Sequence, residues 1–337
     1  MRKRGERAVI RSKGSVSRTV LRFAAAGLAC AISAAGGPIS SSDAGETDRP
    51  PAADVPEWCR EVPAAFATLE RVNVSQPWFD VYRVRPGVLA IYEGKQYEQV
   101  ISYLIVGDQR ALLFDTGLGL GHMDQLVREL TSLPVTVLNS HTHFDHVGGN
   151  ADFAEVWNED TPFSRANADG HLDDYARSAL EPDHLCGALP ADVHGGEYTL
   201  RPWKVSRRVA DGERIDLGGR TLEVLYSPGH APDALCLIDR EHGLLFTGDT
   251  YYPGPIYLFA PGTDLPAYVR SVARLAALVP SLELLLPSHI VPVAEPSELI
   301  ALQRAVEDVR SGKVEAVPVE GQLEYRFGRF SLLLAPD

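Results

Sequence analysis

Short apolar runs with a period of two dominate the chain from about residue 79 onwards. Phe79-Asp80-Val81-Tyr82-Arg83-Val84 alternates cleanly, and residues 87–92 follow a Pro-Gly turn. Residues 100–106, 111–114 and 135–139 complete a first set of predicted strands, with a helical apolar spacing over 123–130 before the last. A helix is also expected over 58–72. Residues 155–200 are less regular, with one helix expected over 171–180. Strands resume at 220–226, 234–238 and 244–246. A helix over 265–278, capped by Thr263 or Asp264, precedes a strand at 282–286. A helix over 296–311 and terminal strands within 325–334 close the chain. This order predicts two similar halves in one α/β (α+β) domain, each a sheet with helices outside, packed sheet to sheet.

Several predicted strands end in chemistry. After the strand at 135–139 comes His141-Thr142-His143-Phe144-Asp145-His146, then Val147-Gly148-Gly149. Neutral imidazole and carboxylate suit Zn²⁺ and related divalent ions, and a spacing of two lets two rings converge on one ion. Further on, Gly229-His230, Gly248-Asp249 and Ser288-His289 each place a metal-competent residue just past a predicted strand. Open α/β sheets place their sites at the carboxyl ends of strands. No C-x-x-C pair exists, so a thiolate metal site is not expected.

Composition is that of a globular protein, 45% hydrophobic and 23% charged, which leaves room for a large core in 337 residues. The net charge of −13 hides a split. The first 36 residues hold eight basic residues against one acid, a surplus of seven, so the remainder carries −20. Such acidity opposes phosphate backbones and excludes nucleic acid as a partner. The basic start leads into a short apolar run and then small residues, the pattern of a secretory signal peptide over 1–35, with cleavage expected near Ala35-Gly36. Leu28-Ala29-Cys30 also resembles a lipoprotein cleavage site, although Gly27 stands where a larger apolar residue is usual. The run is too short for a stable membrane span, which needs roughly 18 residues. A Pro/Ser/Gly-rich linker is expected over 36–56, the catalytic domain over 57–337, and a secreted or periplasmic location for the whole. Cys59 and Cys186 are free to pair in an oxidising compartment, a connectivity that sequence alone does not establish, and Cys236 reads as a buried strand thiol.

Taken together, the segments resemble the metallo-β-lactamase superfamily over about residues 80–335. The resemblance implies a four-layer αββα sandwich of two mixed sheets with two metals at one edge. His141, His143 and His230 resemble the ligands of the first metal, Asp145, His146 and His289 those of the second, and Asp249 the carboxylate bridging both. Asp115, in Phe114-Asp115-Thr116-Gly117, matches the family's aspartate behind the site, where a buried carboxylate would orient a ligand ring. Two Zn²⁺ per chain are implied, with Fe or Mn as the other candidates. Such a pair, about 3.5–4 Å apart, would lower the pKa of a shared water toward about 7 for attack on a carbonyl or phosphoryl centre. Asp145 would steer the nucleophile.

Asp249 is mostly missing from β-lactamases of the family but kept by glyoxalase II-like thioesterases, lactonases and phosphotriesterase-like members. Tyr252 lies three residues past Asp249, where acyl-homoserine lactonases carry a tyrosine that contacts the substrate carbonyl. Tyr251 beside it leaves that register open. Tyr251, Tyr257 and Trp157 are expected as a substrate wall. The expectation is therefore an exported dinuclear zinc hydrolase acting on an ester or lactone in a small, uncharged, partly apolar molecule. The rival readings are a β-lactam hydrolase, a mononuclear iron enzyme like the family's persulfide dioxygenase, and a non-catalytic metal-binding module. Substrate identity and oligomeric state are not legible.

Overall fold

Side-chain parity along the strands decides the architecture. The structure, a computed structural model, describes residues 56–60, 62–191, 193 and 198–336, all within one compact unit. The expected signal segment and all but the last residue of the expected linker lie outside the described residues.

The first half lays down eight strands: β1 (Glu70–Val72), β2 (Asp80–Arg85), β3 (Val88–Tyr92), β4 (Ile101–Val106), β5 (Ala111–Phe114), β6 (Val135–Leu138), β7 (Val156–Asn158) and β8 (Arg207–Arg208). They pair in that order in one sheet. Neighbours are antiparallel up to β5 and parallel from β5 to β8. The parallel step from β5 to β6 requires a crossover, supplied by α1 (Met123–Leu130). Three short helices, α2 (Phe144–Val147), α3 (Pro162–Ala168) and α4 (Asp174–Arg177), follow β6.

The second half contributes β9 (Arg214–Asp216), β10 (Thr221–Tyr226), β11 (Leu235–Asp239), β12 (Leu244–Gly248), β13 (Pro255–Leu258), β14 (Leu284–Pro287), β15 (Val317–Val319), β16 (Gln322–Arg326) and β17 (Ser331–Leu334), with helices α5 (Leu265–Ala276) and α6 (Ser297–Arg310). A five-stranded sheet runs β14-β12-β11-β10-β9, and a four-stranded one runs β13-β17-β16-β15.

Alternate residues of each strand enter different cores. Val88, Ala90 and Tyr92 of β3 meet Leu235 and Leu237 of β11 and Leu244 and Phe246 of β12 between the two larger sheets. Leu89 and Ile91 turn the other way, toward Leu126 and Val127 of α1. On the opposite outer face Cys236, Ile238 and Leu245 pack with Tyr268 and Val272 of α5 and Leu299 and Leu302 of α6. The order helix, sheet, sheet, helix is the expected four-layer sandwich. The expected pair of sheets gains a third, because β13 and the terminal strands form their own sheet, and its Ile256 and Leu332 join the outer core beneath α5 and α6.

Two expected helices are corrected. Residues 58–72 form two 3₁₀ turns, Glu57–Arg60 and Ala64–Thr68, followed by β1. Pro63, lacking an N–H, interrupts the helical ladder, and residues 70–72 pair instead with Val81 to Arg83. Within 171–180 the Asp173 carboxylate accepts from Ala176 N–H and caps a single turn, so α4 begins three residues later than expected. Cys59 and Cys186 form a disulfide, and Cys236 is buried and free.

Candidate metal centre

Five strand ends build the site, all at the same edge of the two larger sheets. β5 stops at Phe114, and Asp115 takes a left-handed φ of 67° that turns its side chain back under the edge. β6 delivers Ser140 and His141, with His143 just ahead of α2 and Asp145 and His146 on its single turn. β10 leads to His230, β12 to Asp249 and β14 to His289. The sheets are laced together here: Leu235 N–H donates to Ser140 O at 2.7 Å, and Ile101 N–H to Ser288 O at 2.7 Å.

The ligand-bearing loop owes its shape to a close approach. Gly148 N–H donates to Gly117 O at 2.8 Å. A Cβ at Gly148 would lie 2.1 Å from the Leu118 carbonyl carbon, so only glycine lets the two loops touch. Beneath them Asn139, Asn150 and Thr116 form a buried network: Asn139 Nδ2 donates to His146 O at 2.9 Å, Asn150 Nδ2 to Asn139 Oδ1 at 2.9 Å, and Thr116 Oγ1 to Asn150 Oδ1 at 2.8 Å.

The seven expected ligands come together. His143 Nδ1 lies 2.9 Å from His141 Nε2 and 3.0 Å from His230 Nε2. His289 Nε2 lies 3.3 Å from His146 Nε2, and Asp145 Oδ2 is 3.4 Å from His146 Nε2 and 3.5 Å from His289 Nε2. Asp249 sits between these two groups, 3.1 Å from His289 Nε2, 3.4 Å from His146 Nε2 and 3.5 Å from His230 Nε2.

The outer ring nitrogens fix which inner ones hold lone pairs. His230 Nδ1 donates to Tyr257 O at 2.8 Å, His289 Nδ1 to Glu98 O at 2.7 Å, and His146 Nδ1 to Asp115 Oδ2 at 2.9 Å. In the neutral tautomer that those bonds select, His146 Nε2 and His289 Nε2 both turn lone pairs inward, 3.3 Å apart and beside Asp249, so that only protons or a metal cation can reconcile them. Asp249 Oδ1 is buried without a hydrogen-bond donor. Facing lone pairs and an orphaned carboxylate oxygen repel one another until a cation stands among them, and nitrogen and carboxylate donors suit a divalent transition metal.

Charge divides the cluster into two halves. Burial, reinforced by His230, holds His143 down to about 3, and burial likewise lowers His141 and His230. These three rings are neutral donors. Burial also opposes charge on His146 and His289, but Asp249 and Asp145 outweigh it, lifting His289 to about 9 and His146 well above its usual value. That half attracts positive charge.

The remaining expected residues divide. Asp115 lies behind the ligands, its Oδ1 accepting from Ser140 N–H at 2.6 Å and its Oδ2 from Ser288 Oγ at 3.2 Å as well as from His146. Tyr252 packs its ring 4.9 Å from that of His289, and its single O–H is given to Pro255 O. Tyr257 flanks His230 with its ring tilted 5.3 Å from that of Phe259, while Phe163 meets the His143 ring at 5.7 Å. Tyr251 and Trp157 are corrected. Tyr251 is fully buried in the outer core against Phe330, whereas Tyr252, at the margin of the same core, reaches the His289 ring. Trp157 belongs to the core between the sheets, with Arg207 4.2 Å over its ring.

Two groups at the site carry no motif. Glu98 contributes a backbone carbonyl, which has no sequence signature, and its side chain accepts from Tyr175 Oη. Asp233, fully buried, accepts from Thr142 Oγ1 at 2.6 Å beneath the H-x-H turn. Its position three residues after His230 was the one available hint.

Fold and donor set together define a metal-dependent hydrolase. The chain belongs to the metallo-beta-lactamase superfamily, whose family model matches residues 97–319. It is 32% identical over 229 residues to an acyl-coenzyme A thioesterase of Gallus gallus, covering 63% of this chain and 80% of that protein. An atrochrysone carboxyl ACP thioesterase of Aspergillus chevalieri is 28% identical over 204 residues, covering 58% of this chain and 54% of that one. Among solved structures, a sec-alkylsulfatase of Pseudomonas sp. shares the fold, with a TM-score of 0.51 at 17% identity over 69% of this chain and 42% of that chain. Among the described residues no helix is long and apolar enough to cross a membrane.

Proposed function

We propose that this chain hydrolyses an ester-type carbonyl compound, an ester, thioester or lactone, with two divalent cations, zinc foremost, and that it works outside the cytoplasm. The observation that carries the reading is Asp249, which reaches His230 of one ligand group and His146 and His289 of the other. A carboxylate so placed could hold two cations at once, as the resemblance to the superfamily's thioesterases and lactonases implies. The names of the similar proteins, acyl-coenzyme A and carboxyl ACP thioesterases, add thioesters to that substrate class.

Bound cations would supply Lewis acidity toward a carbonyl oxygen and toward water. His141, His143 and His230 would hold one, Asp145, His146 and His289 the other, and Asp249 both. Asp145, beside His146 and His289, would be the proton acceptor for an attacking water and the group that could return that proton to the leaving atom. Tyr252 can donate to a developing oxyanion only by releasing Pro255 O. Phe163, Tyr257 and Phe259 give the approach an apolar side, suited to an uncharged acyl group. The Cys59–Cys186 disulfide and the basic, then apolar, N-terminal sequence both support an oxidising, extracytoplasmic setting.

A turnover panel tests the reading: a hexanoyl thioester, an aryl ester, an acyl-homoserine lactone, an aryl phosphotriester and a chromogenic β-lactam. The expected result is kcat/KM for at least one carbonyl ester about 100-fold above that for the β-lactam. Robust β-lactam turnover with no ester, thioester or lactone turnover would refute it.

A further inference from the structure

Beyond the ligands, the residues that orient two of them carry polar side chains of their own. Glu98 gives its backbone carbonyl to His289 Nδ1–H, and Tyr257 gives its own to His230 Nδ1–H. Each side chain is thereby left to other partners. Tyr175 Oη donates a hydrogen bond to Glu98 Oε1. Tyr175 also packs edge-on to Phe144, the residue between His143 and Asp145, at 6.1 Å between ring centroids.

From outside, the loop carrying Glu98 is pinned in place. Cys186 N–H donates to Lys95 O at 2.8 Å and Tyr97 N–H to His184 O at 2.9 Å, next to the Cys59–Cys186 disulfide. The carboxylate is therefore positioned, not trailing in solvent. Metal binding does not require it, since it belongs to none of the three ligand groups. It sits on the residue whose backbone carbonyl holds His289, and is half-buried. Tyr175 occupies one of its oxygens, and a carboxylate retains further acceptor capacity. A partly desolvated carboxylate beside an active site disfavours a second carboxylate and favours a donor.

We infer that Glu98, oriented by Tyr175, is a specificity-determining residue that accepts a hydrogen bond from a neutral or cationic donor on the acyl part of the substrate and rejects acyl groups bearing a carboxylate. This rests on the hydrolase reading above and narrows its substrate class.

Three matched N-acetylcysteamine thioesters, hexanoyl, 6-aminohexanoyl and adipoyl, assayed on the metal-loaded protein at pH 8, provide the test. Wild type should prefer the ammonium over the carboxylate substrate by about 30-fold in kcat/KM. Glu98→Gln keeps an acceptor for Tyr175 but removes the charge, and should shrink that ratio about tenfold, chiefly through KM. Tyr175→Phe, which frees the carboxylate to reorient, should shrink it about threefold and serves if Glu98→Gln does not fold. The ratio is internal to each variant, so a general loss of activity does not enter it. An unchanged ratio in Glu98→Gln, or in Tyr175→Phe where only that variant folds, overturns the assignment while leaving the hydrolase reading intact. Should wild type turn over none of the three thioesters, the same three acyl groups are presented as aryl esters, and failure on both series and on the lactone overturns both.

Discussion

Asp115 receives three donors at once, from His146 Nδ1, Ser140 N and Ser288 Oγ, and so ties three strand ends to one ligand. An amide in its place must turn its NH₂ toward one of those donors. Asp115→Asn is predicted to weaken divalent-metal affinity by about 10–100-fold at one of two sites, read by competition with a chromogenic chelator, with the far-ultraviolet spectrum unchanged. Asp233 makes a different prediction. Burial, only partly offset by the hydrogen bond from Thr142, pushes its carboxyl from the usual 3.8 up to about 7, and its Oδ1 has no partner. A raised folded-state pKa means that the native state binds the proton more tightly than the unfolded chain. Its stability contribution is present below about pH 4 and is lost as pH rises through about 7. Asn imitates the protonated acid, so the Tm of Asp233→Asn minus that of wild type should become more positive from pH 5 to pH 8. A flat difference would show that the carboxylate is not paying a burial penalty. The ligands were legible because their residue types and strand-end positions both point to metal chemistry. Glu98 was not, because a backbone carbonyl and a loop placement determine its role. The register of Tyr251 and Tyr252 was left open because strand parity cannot be counted through the turn after β12.

At the scale of elements, strands and long helices were readable from periodicity, and short ones were not. The edges of β5 and α1 follow the pattern of residues 111–130 closely, since β5 is a continuous apolar run buried on both faces and α1 has a single buried face. The strands β9, β13 and β15 are three or four residues long, too short for a period to declare itself, and α3 is set by the Thr161–Ser164 capping box, not by an apolar stripe. The ligand loop depends on contact between elements. Glu93, pushed up to about 7 by burial, accepts from Leu118 N–H at 2.8 Å and Trp78 Nε1 at 2.9 Å, and so holds the loop that faces Gly148. Gly148 is right-handed in backbone, so its requirement is space, not conformation. Gly148→Ala should cost roughly 2–3 kcal/mol in chemical denaturation and lower metal occupancy, because the Leu118 carbonyl must move to admit the methyl. Equal stability and occupancy in the variant would mean that the loops separate freely.

For the whole molecule, the four-layer order follows from which strand faces are apolar, and the sandwich brings five separated strand ends to one edge. The third sheet escaped the sequence because β13 pairs with β17, parallel and more than seventy residues away, and no local pattern records such a partner. The surrounding fold thus supplies what the H-x-H-x-D-H stretch lacks, His230 and His289 to complete the two groups of donors and Asp249 shared between them. The central claim is that this edge holds two divalent cations that the reaction needs. Metal content of the purified protein, followed together with thioester turnover as a chelator withdraws the ions, tests it most directly. The account predicts two divalent ions per chain, loss of turnover on chelation, and recovery on adding back zinc. One ion or none per fully active chain, or turnover that survives complete chelation, would contradict it.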